Sequence, residues 1–480
     1  MRELKRIGVR AFVWDFFGNI GMTLVAFIIS LILTRILEPE QFGLLGMVLA
    51  FTAVAQVFMD MGFGSALVQK QNISSTSYSS VFWLNLFIGS LIFILLFFSS
   101  KIIANFYEES ELERITKLIS SVFIISSFGN VQRLIFTKKL DFKTQSVVSL
   151  IAAIVSGGVA IWMALNDFGV YALVYQKIVG TALTVGMFWY LSSWRPSFVF
   201  VKEDIKSIWG YSSREFLDRI VTTIYNKLDV LIIGKLFAPA ILGFYTRAFS
   251  LNAMIGKFTS ASLNKVFFPL ISSINNDKKR VHAVYVRVIT GVGFLSIGIS
   301  GLFYLIAGDL FVLLFTEKWS DSVFYFQLLV LTSFMYPISS IMLSLINGLG
   351  FAGRVLKAGL YKKAIGLVPI AIGVLWGIEA FLYARIVFGV VGFYINVLYV
   401  KMTINITVID QLRIIITPLL LGIFIVCFLQ SVISTDSRIL SFILDSFCFS
   451  IMFIGSVLLV DKKIKVLVKE ELSRFKIWKK

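Results

Sequence analysis

Long apolar stretches, each broken by a short polar one, repeat along the whole chain. A helix rises about 1.5 Å per residue, so about 20 apolar residues cross a hydrocarbon core of about 30 Å. The stretches have that length. They do not alternate apolar and polar positions, as barrel strands of about ten residues would. About fourteen helical spans are expected. They cover residues 11–36, 43–67, 79–103, 115–137, 145–166, 169–193, 207–236, 239–264, 284–307, 322–347, 355–377, 379–400, 409–431 and 439–460. The pattern predicts an all-α integral membrane protein with no folded domain outside the membrane, since the breaks are short.

The polar breaks sort by sign. One set carries Lys70, then Arg133, Lys138, Lys139 and Lys143, then Arg195, Lys202 and Lys206, then Lys278, Lys279 and Arg280, then Arg354 and Lys357, then Lys401. The alternate set carries Glu38 and Glu40, Glu108, Glu109, Glu111 and Glu113, Asp167, Asp309, Glu317 and Asp321, Glu379, and Asp436. Loops rich in Lys and Arg stay in the cytoplasm. Both termini fall on that side, as an even number of spans requires. The expected location is an inner (cytoplasmic) membrane. The first apolar stretch runs on to Ile36 without a small-residue cleavage site, so it reads as a retained helix.

Composition agrees. Hydrophobic residues make up 58% and charged residues 15%, and mean hydropathy is +0.88, against about 45–50% and about 25% in soluble domains. The net charge of +18 follows from the basic loops. It points to anionic lipid headgroups as neighbours rather than to nucleic acid. Cys427 and Cys448 both lie in apolar stretches. No metal-ligand spacing and no cofactor motif occurs.

The chain repeats itself. Pro39 and Gly43, after Arg35, recur two hundred residues later as Pro239 and Gly243, after Lys235. Both segments join an outgoing span to a returning one on the acidic side. A weaker echo links Leu140-Asp141-Phe142-Lys143 to the stretch from Leu349 to Arg354. The expected organisation is a six-helix bundle over 1–193, a cytoplasmic connection over 194–206 and a second six-helix bundle over 207–402. Two further helices follow over 403–460, then a basic tail over 461–480. Halves that start on the same side are related by an axis along the membrane normal.

Charges at membrane depth are costly and usually face a bundle interior or a water-filled cavity. In the seventh span Glu215, Arg219, Thr222, Asn226 and Asp229 fall on one helical stripe. The eighth adds Arg247, Asn252 and Lys257, and the second ends near Asp60. A basic cavity is therefore expected, lined by Arg219, Asn226, Lys227, Arg247 and Lys257. Asp60, Glu215 and Asp229 are candidates for charge balance, ion coupling or helix pairing. Arg35, Lys235 and Arg385, near span ends, read as side chains reaching for the interface. Trp83, Trp194, Trp319 and Trp376 suit an interfacial belt.

No enzyme chemistry is visible. His282 is the one histidine and sits beside a basic loop. There is no HExxH, no GxSxG and no phosphate-binding loop. A transporter rather than an enzyme is expected.

Two segments carry a family resemblance. They are Leu33-Thr34-Arg35-Ile36-Leu37-Glu38-Pro39-Glu40-Gln41-Phe42-Gly43 and the stretch from Asp60 to Gln69. Val81-Phe82-Trp83-Leu84-Asn85, Leu228-Asp229, Ile233-Gly234-Lys235, Leu242 to Ala248 and Glu317-Lys318-Trp319 add to it. The chain resembles the polysaccharide transporter family of the multidrug/oligosaccharidyl-lipid/polysaccharide flippase superfamily, and its colanic-acid-exporter-like branch in particular. It departs from the family at Phe237-Ala238-Pro239, where a glycine is favoured. The resemblance implies two six-helix bundles around a central cavity and alternating access. The implied cargo is an undecaprenyl-pyrophosphate-linked oligosaccharide, passed from the cytoplasmic to the outer leaflet for surface polysaccharide synthesis. A glycan polymerase and glycosyltransferases are the implied partners. It carries no ligand residue over. Rival readings are a lipid II flippase or multidrug antiporter of the same superfamily, an intramembrane transferase, and an assembly scaffold.

Overall fold

The computed structural model describes residues 2–61, 67, 74–432 and 437–460, with side chains described outside 2–12, 207–215, 257–265 and 460. All regular structure among them is helical. The helices are α1 (Arg2–Ile36), α2 (Pro39–Asp60), α3 (Ser75–Tyr107), α4 (Glu111–Lys138), α5 (Phe142–Leu165) and α6 (Val170–Leu191). They continue as α7 (Lys202–Leu236), α8 (Pro239–Ser273), α9 (Lys278–Leu305), α10 (Ala307–Phe315), α11 (Asp321–Ser333) and α12 (Met335–Gly348). The last four are α13 (Ala352–Trp376), α14 (Ile378–Ile404), α15 (Val408–Val432) and α16 (Arg438–Val460).

The ends are written locally. Pro39 opens α2, where its missing N–H is no loss, and the Glu38 N–H donates to Gln41 Oε1 at 3.2 Å. Ser74, Asp141 and Asp277 cap α3, α5 and α9 by accepting from backbone N–H groups three residues on. Gly377, at φ +92°, turns the chain into α14; only glycine adopts that region without strain.

Twelve helices among the described residues are long and apolar enough to cross a membrane, with α11 and α12 together forming one. The expected seventh and eighth spans are α7 and α8, of 35 residues each, or about 52 Å of helix. They are not among the twelve. The basic connection is shorter than expected. Glu203 and Asp204 favour a helix start there, so α7 begins at Lys202 and the free segment covers 192–201. The acidic break at 309–321 is not a loop either: it folds into α10 and a turn of 3-10 helix, Glu317–Trp319. The expected basic tail, 461–480, lies outside the described residues.

The helix boundaries carry the repeat. The pair α1 and α2 ends at Ile36 and restarts at Pro39; the pair α7 and α8 ends at Leu236 and restarts at Pro239. Both α1 and α7 are 35 residues long.

The chain forms two compact units, Met1–Gly243 and Phe244–Lys480. In the first, Phe82, Ile88 and Ile92 of α3 meet Phe123, Val131 and Ile135 of α4. In the second, Tyr285 and Ile289 of α9, Ile338 and Met342 of α12, Val397 of α14 and Ile425 of α15 are buried together. Outward faces are strongly apolar; Phe98 is 75% and Leu459 81% exposed. Such faces suit hydrocarbon rather than water.

Candidate functional site

The polar stripe of α7 begins in the first unit. Arg219 and Asn226 are exposed, and Thr222, Lys227 and Asp229 are half-buried. Helix α7 lies along α2, where Phe216 meets Phe58 edge to face at 5.3 Å. That packing brings Arg219 towards the end of α2. Asp60 is exposed there, accepts from Gln56 Nε2 at 3.1 Å, and lies in the field of Arg219 and Arg133. Counted from Leu236, Arg219 is about 26 Å along α7 and Asn226 about 15 Å. From Arg219 to Asp229 the stripe extends about 15 Å along α7, and Asp60 feels the charge of Arg219. Asp229 Oδ1 accepts from the Val230 N–H at 3.1 Å. The side chains of Glu215 and Lys257 lie outside the described residues.

At the acidic end the turn segments of the repeat touch, all within the first unit. A Cβ on Gly43 would fall 1.8 Å from the Pro239 carbonyl oxygen, and a Cβ on Gly243 would fall 2.0 Å from the Pro39 carbonyl oxygen. Only glycine permits an approach this close. Beside it Lys235 Nζ donates to Glu108 Oε1 at 2.6 Å and sits over the Phe106 ring at 5.6 Å. Lys235 is thus paired rather than simply reaching for the interface. The Lys235 ammonium holds the Glu108 carboxyl below the usual carboxylate range. Burial, then the charges of Glu40 and Glu111, push neighbouring Glu109 up.

Arg247 belongs to the second unit. Its guanidinium lies over the Phe315 and Trp319 rings at 5.2 and 5.3 Å, and both rings are buried. Trp319 is therefore core rather than belt. Arg385 donates to Tyr245 Oη at 2.9 Å and lies near the Phe249 and Phe381 rings. Each arginine lies against its own pair of aromatic rings, whose faces suit cations.

Sequence reading passed over Lys362 and Asn396. Lys362 stands inside α13 and donates to Asn396 Oδ1 of α14 at 3.0 Å. Its signal was the pair Lys362-Lys363 in an otherwise apolar span. It also passed over how the connection is held. Trp83 Nε1 donates to the Ser197 carbonyl at 2.8 Å, the Ser197 N–H to Ser79 Oγ at 3.0 Å, and the Val201 N–H to Ser80 Oγ at 2.9 Å. This fastens 192–201 to the start of α3. No group of acids, cysteines and histidines that could hold a metal occurs among the described residues.

The sequence model of a family described as "Polysaccharide biosynthesis protein" matches residues 32–324, more than half of the chain. The teichuronic acid biosynthesis protein TuaB of Bacillus subtilis is 25% identical over 335 residues, 66% of this chain and 69% of its own. The succinoglycan biosynthesis transport protein ExoT of Rhizobium meliloti is 22% identical over 377 residues, 78% of this chain and 76% of its own. Among solved structures, the lipid II flippase MurJ in an inward closed conformation superposes with a TM-score of 0.70 at 15% identity, covering 94% of this chain and all of that one. That likeness is one of fold.

Proposed function

Because the chain belongs to the polysaccharide biosynthesis protein family, we propose that it is a flippase. Its cargo is an oligosaccharide repeat unit linked to a polyprenyl pyrophosphate, which it moves from the cytoplasmic to the outer leaflet for surface polysaccharide synthesis. The observation that carries this reading is the α7 stripe, in which Arg219, Thr222, Asn226 and Asp229 fall on one face of a 35-residue helix. A glycan and a pyrophosphate cannot cross hydrocarbon unaided. A hydrated, basic path can carry them while the lipid tail stays in the bilayer. Arg219, Asn226 and Lys227 line that path. Asp60, Glu215 and Asp229 balance its charge.

The transporter works by alternating access, with bundles over 1–193 and 207–402 and two further helices over 403–460. Both termini face the cytoplasm, as the loop charges favour. The cargo is anionic and leaves a negative interior, so two charges gain about 4.6 kcal/mol per 100 mV. Glycosyltransferases that build the repeat and a polymerase that consumes it are the partners. A multidrug antiporter fits less well, because the family that the chain matches is described by polysaccharide biosynthesis.

The test is purified protein in liposomes loaded with a fluorescent polyprenyl-pyrophosphate oligosaccharide in the inner leaflet. Transfer to the outer leaflet is expected, with transfer lost in Arg219→Ala. No transfer by the wild-type protein would refute the flippase reading and favour a scaffold. Lipid II in the same vesicles, moved as fast as the oligosaccharide, would replace the cargo.

A further inference from the structure

Helix α13 buries one stripe, marked by Ala358, Pro369 and Gly373. Lys362 falls on that stripe, one turn after Ala358, so its stem faces protein rather than lipid. The stem packs against α14. A Cβ on Gly392 of α14 would lie 3.6 Å from Lys362 Cγ and 3.7 Å from Cδ. The stem thus lies across Gly392, and the ammonium reaches Asn396 one turn further along. Asn396 is 1% exposed. Eight residues earlier on the same stripe, Arg354 donates to the Met402 carbonyl and to Thr403 Oγ1, both at 2.9 Å.

Lys362 stands ten residues into α13, about 15 Å along its axis and near the middle of a core of about 30 Å. An ammonium there is costly unless an opposite charge answers it. Among the described residues its one polar partner is Asn396, a neutral amide. Two of its three N–H donors remain for another acceptor. Neutral side chains would join the two helices at less cost, so the retained charge calls for an anion. Phosphates of the resident bilayer lipids stay at the interface, about 15 Å away. A lipid-linked cargo in transit brings its phosphates to this depth.

We propose that Lys362, oriented by Asn396 and Gly392, is the mid-membrane seat for the pyrophosphate of the cargo, with Arg354 marking its approach from the basic side. The proposal rests on the flippase reading above and names the group that would hold the anion.

The test measures binding of radiolabelled farnesyl pyrophosphate to the full chain in phosphatidylcholine nanodiscs. Lys362→Met keeps the stem over Gly392 and should weaken binding at least tenfold, while Lys362→Arg should stay within threefold of wild type. Asn396→Asp supplies an internal anion and should also weaken binding at least tenfold. That variant keeps the test decisive if Lys362→Met does not fold. Wild-type affinity in folded Lys362→Met, or in Asn396→Asp, would overturn the proposal. So would displacement of the probe by phosphatidylglycerol at equal concentration, which would make the seat one for bilayer headgroups. Failure here is distinct from failure of the flippase reading. If wild type transfers the lipid-linked oligosaccharide and Lys362→Met transfers it equally fast, only this inference falls.

Discussion

Helices α1 and α7 have the same length, end in the same turn and lead into a helix opened by proline, yet their middles are unlike. At the positions where α7 has Asn226, Lys227 and Asp229, α1 has Ala26, Phe27 and Ile29. Ile29 is buried, its Cδ1 lodged where Gly157 of α5 leaves room. Nearer the basic side the contrast softens. Asp15 and Asn19 of α1, hydrogen-bonded to one another at 3.0 Å, stand where α7 has Glu215 and Arg219. The two copies thus share backbone architecture and differ in chemistry. The first reads as an ordinary membrane helix and the second carries polar groups to mid-depth. In a duplicated transporter, packing constrains both copies while cargo needs act on the face that meets the cargo.

The largest expected effect comes from erasing this difference. Asn226→Ala, Lys227→Phe and Asp229→Ile together give α7 the middle of α1. Surface glycan extracted from cells should vanish while the membrane level of the protein holds. Retained glycan would show that the α7 chemistry is not needed. Next comes Arg219→Ala, expected to slow transfer in liposomes at least tenfold. The converse change, Asn19→Ala in α1, should stay within threefold of wild type. Equal losses at 19 and 219 would mean that both copies carry cargo.

The shared architecture is tested at the glycines. Alanine in place of a helical glycine usually stabilises by about 0.5–1 kcal/mol. Gly43→Ala should reverse that sign, because its Cβ would strike the Pro239 carbonyl; overpacking costs about 1–3 kcal/mol. Gly243→Ala, mirrored against Pro39, should behave alike. The midpoint of thermal unfolding in detergent measures both, and a rise in either would contradict the close approach.

The smallest effect is one of pH. Glu108 has a depressed folded pKa, so its contribution is present above its unfolded pKa and fades as pH falls through the folded value. Glu109 is raised and acts with the opposite sign, favouring the fold at lower pH. Glu108→Gln should therefore flatten the acid-side fall of the melting temperature, and Glu109→Gln should steepen it slightly. Unchanged profiles in both would remove the Lys235–Glu108 pair from the account.

Much of the fold was legible because span length, loop charge and proline position are local properties. Pro239 opens α8 where the sequence placed it, and Pro39 opens α2 four residues before the expected start at 43. The exception at 309–321 has a physical reason: Phe311, Phe315 and Trp319 are buried there, and a short acidic break hides such a face. The stripe on α7 was legible through its spacing. Its partners were not, since the approach of Arg219 to Asp60 depends on how α7 lies along α2. Arg247 shows the same limit. Its charge suggested a cavity, whereas its environment is the rings of Phe315 and Trp319. Lys362 was missed because a single cation in an apolar span gains meaning only from Gly392 and Asn396 on the neighbouring helix.

The central claim is that α7 carries an anionic lipid-linked glycan across the bilayer. Its most direct measurement is transfer of a fluorescent polyprenyl-pyrophosphate oligosaccharide between leaflets of liposomes, wild type against Arg219→Ala, at zero and at about 100 mV inside negative. The account predicts transfer by wild type that the potential accelerates and that Arg219→Ala loses. Wild-type transfer that neither the potential nor Arg219→Ala alters would contradict it.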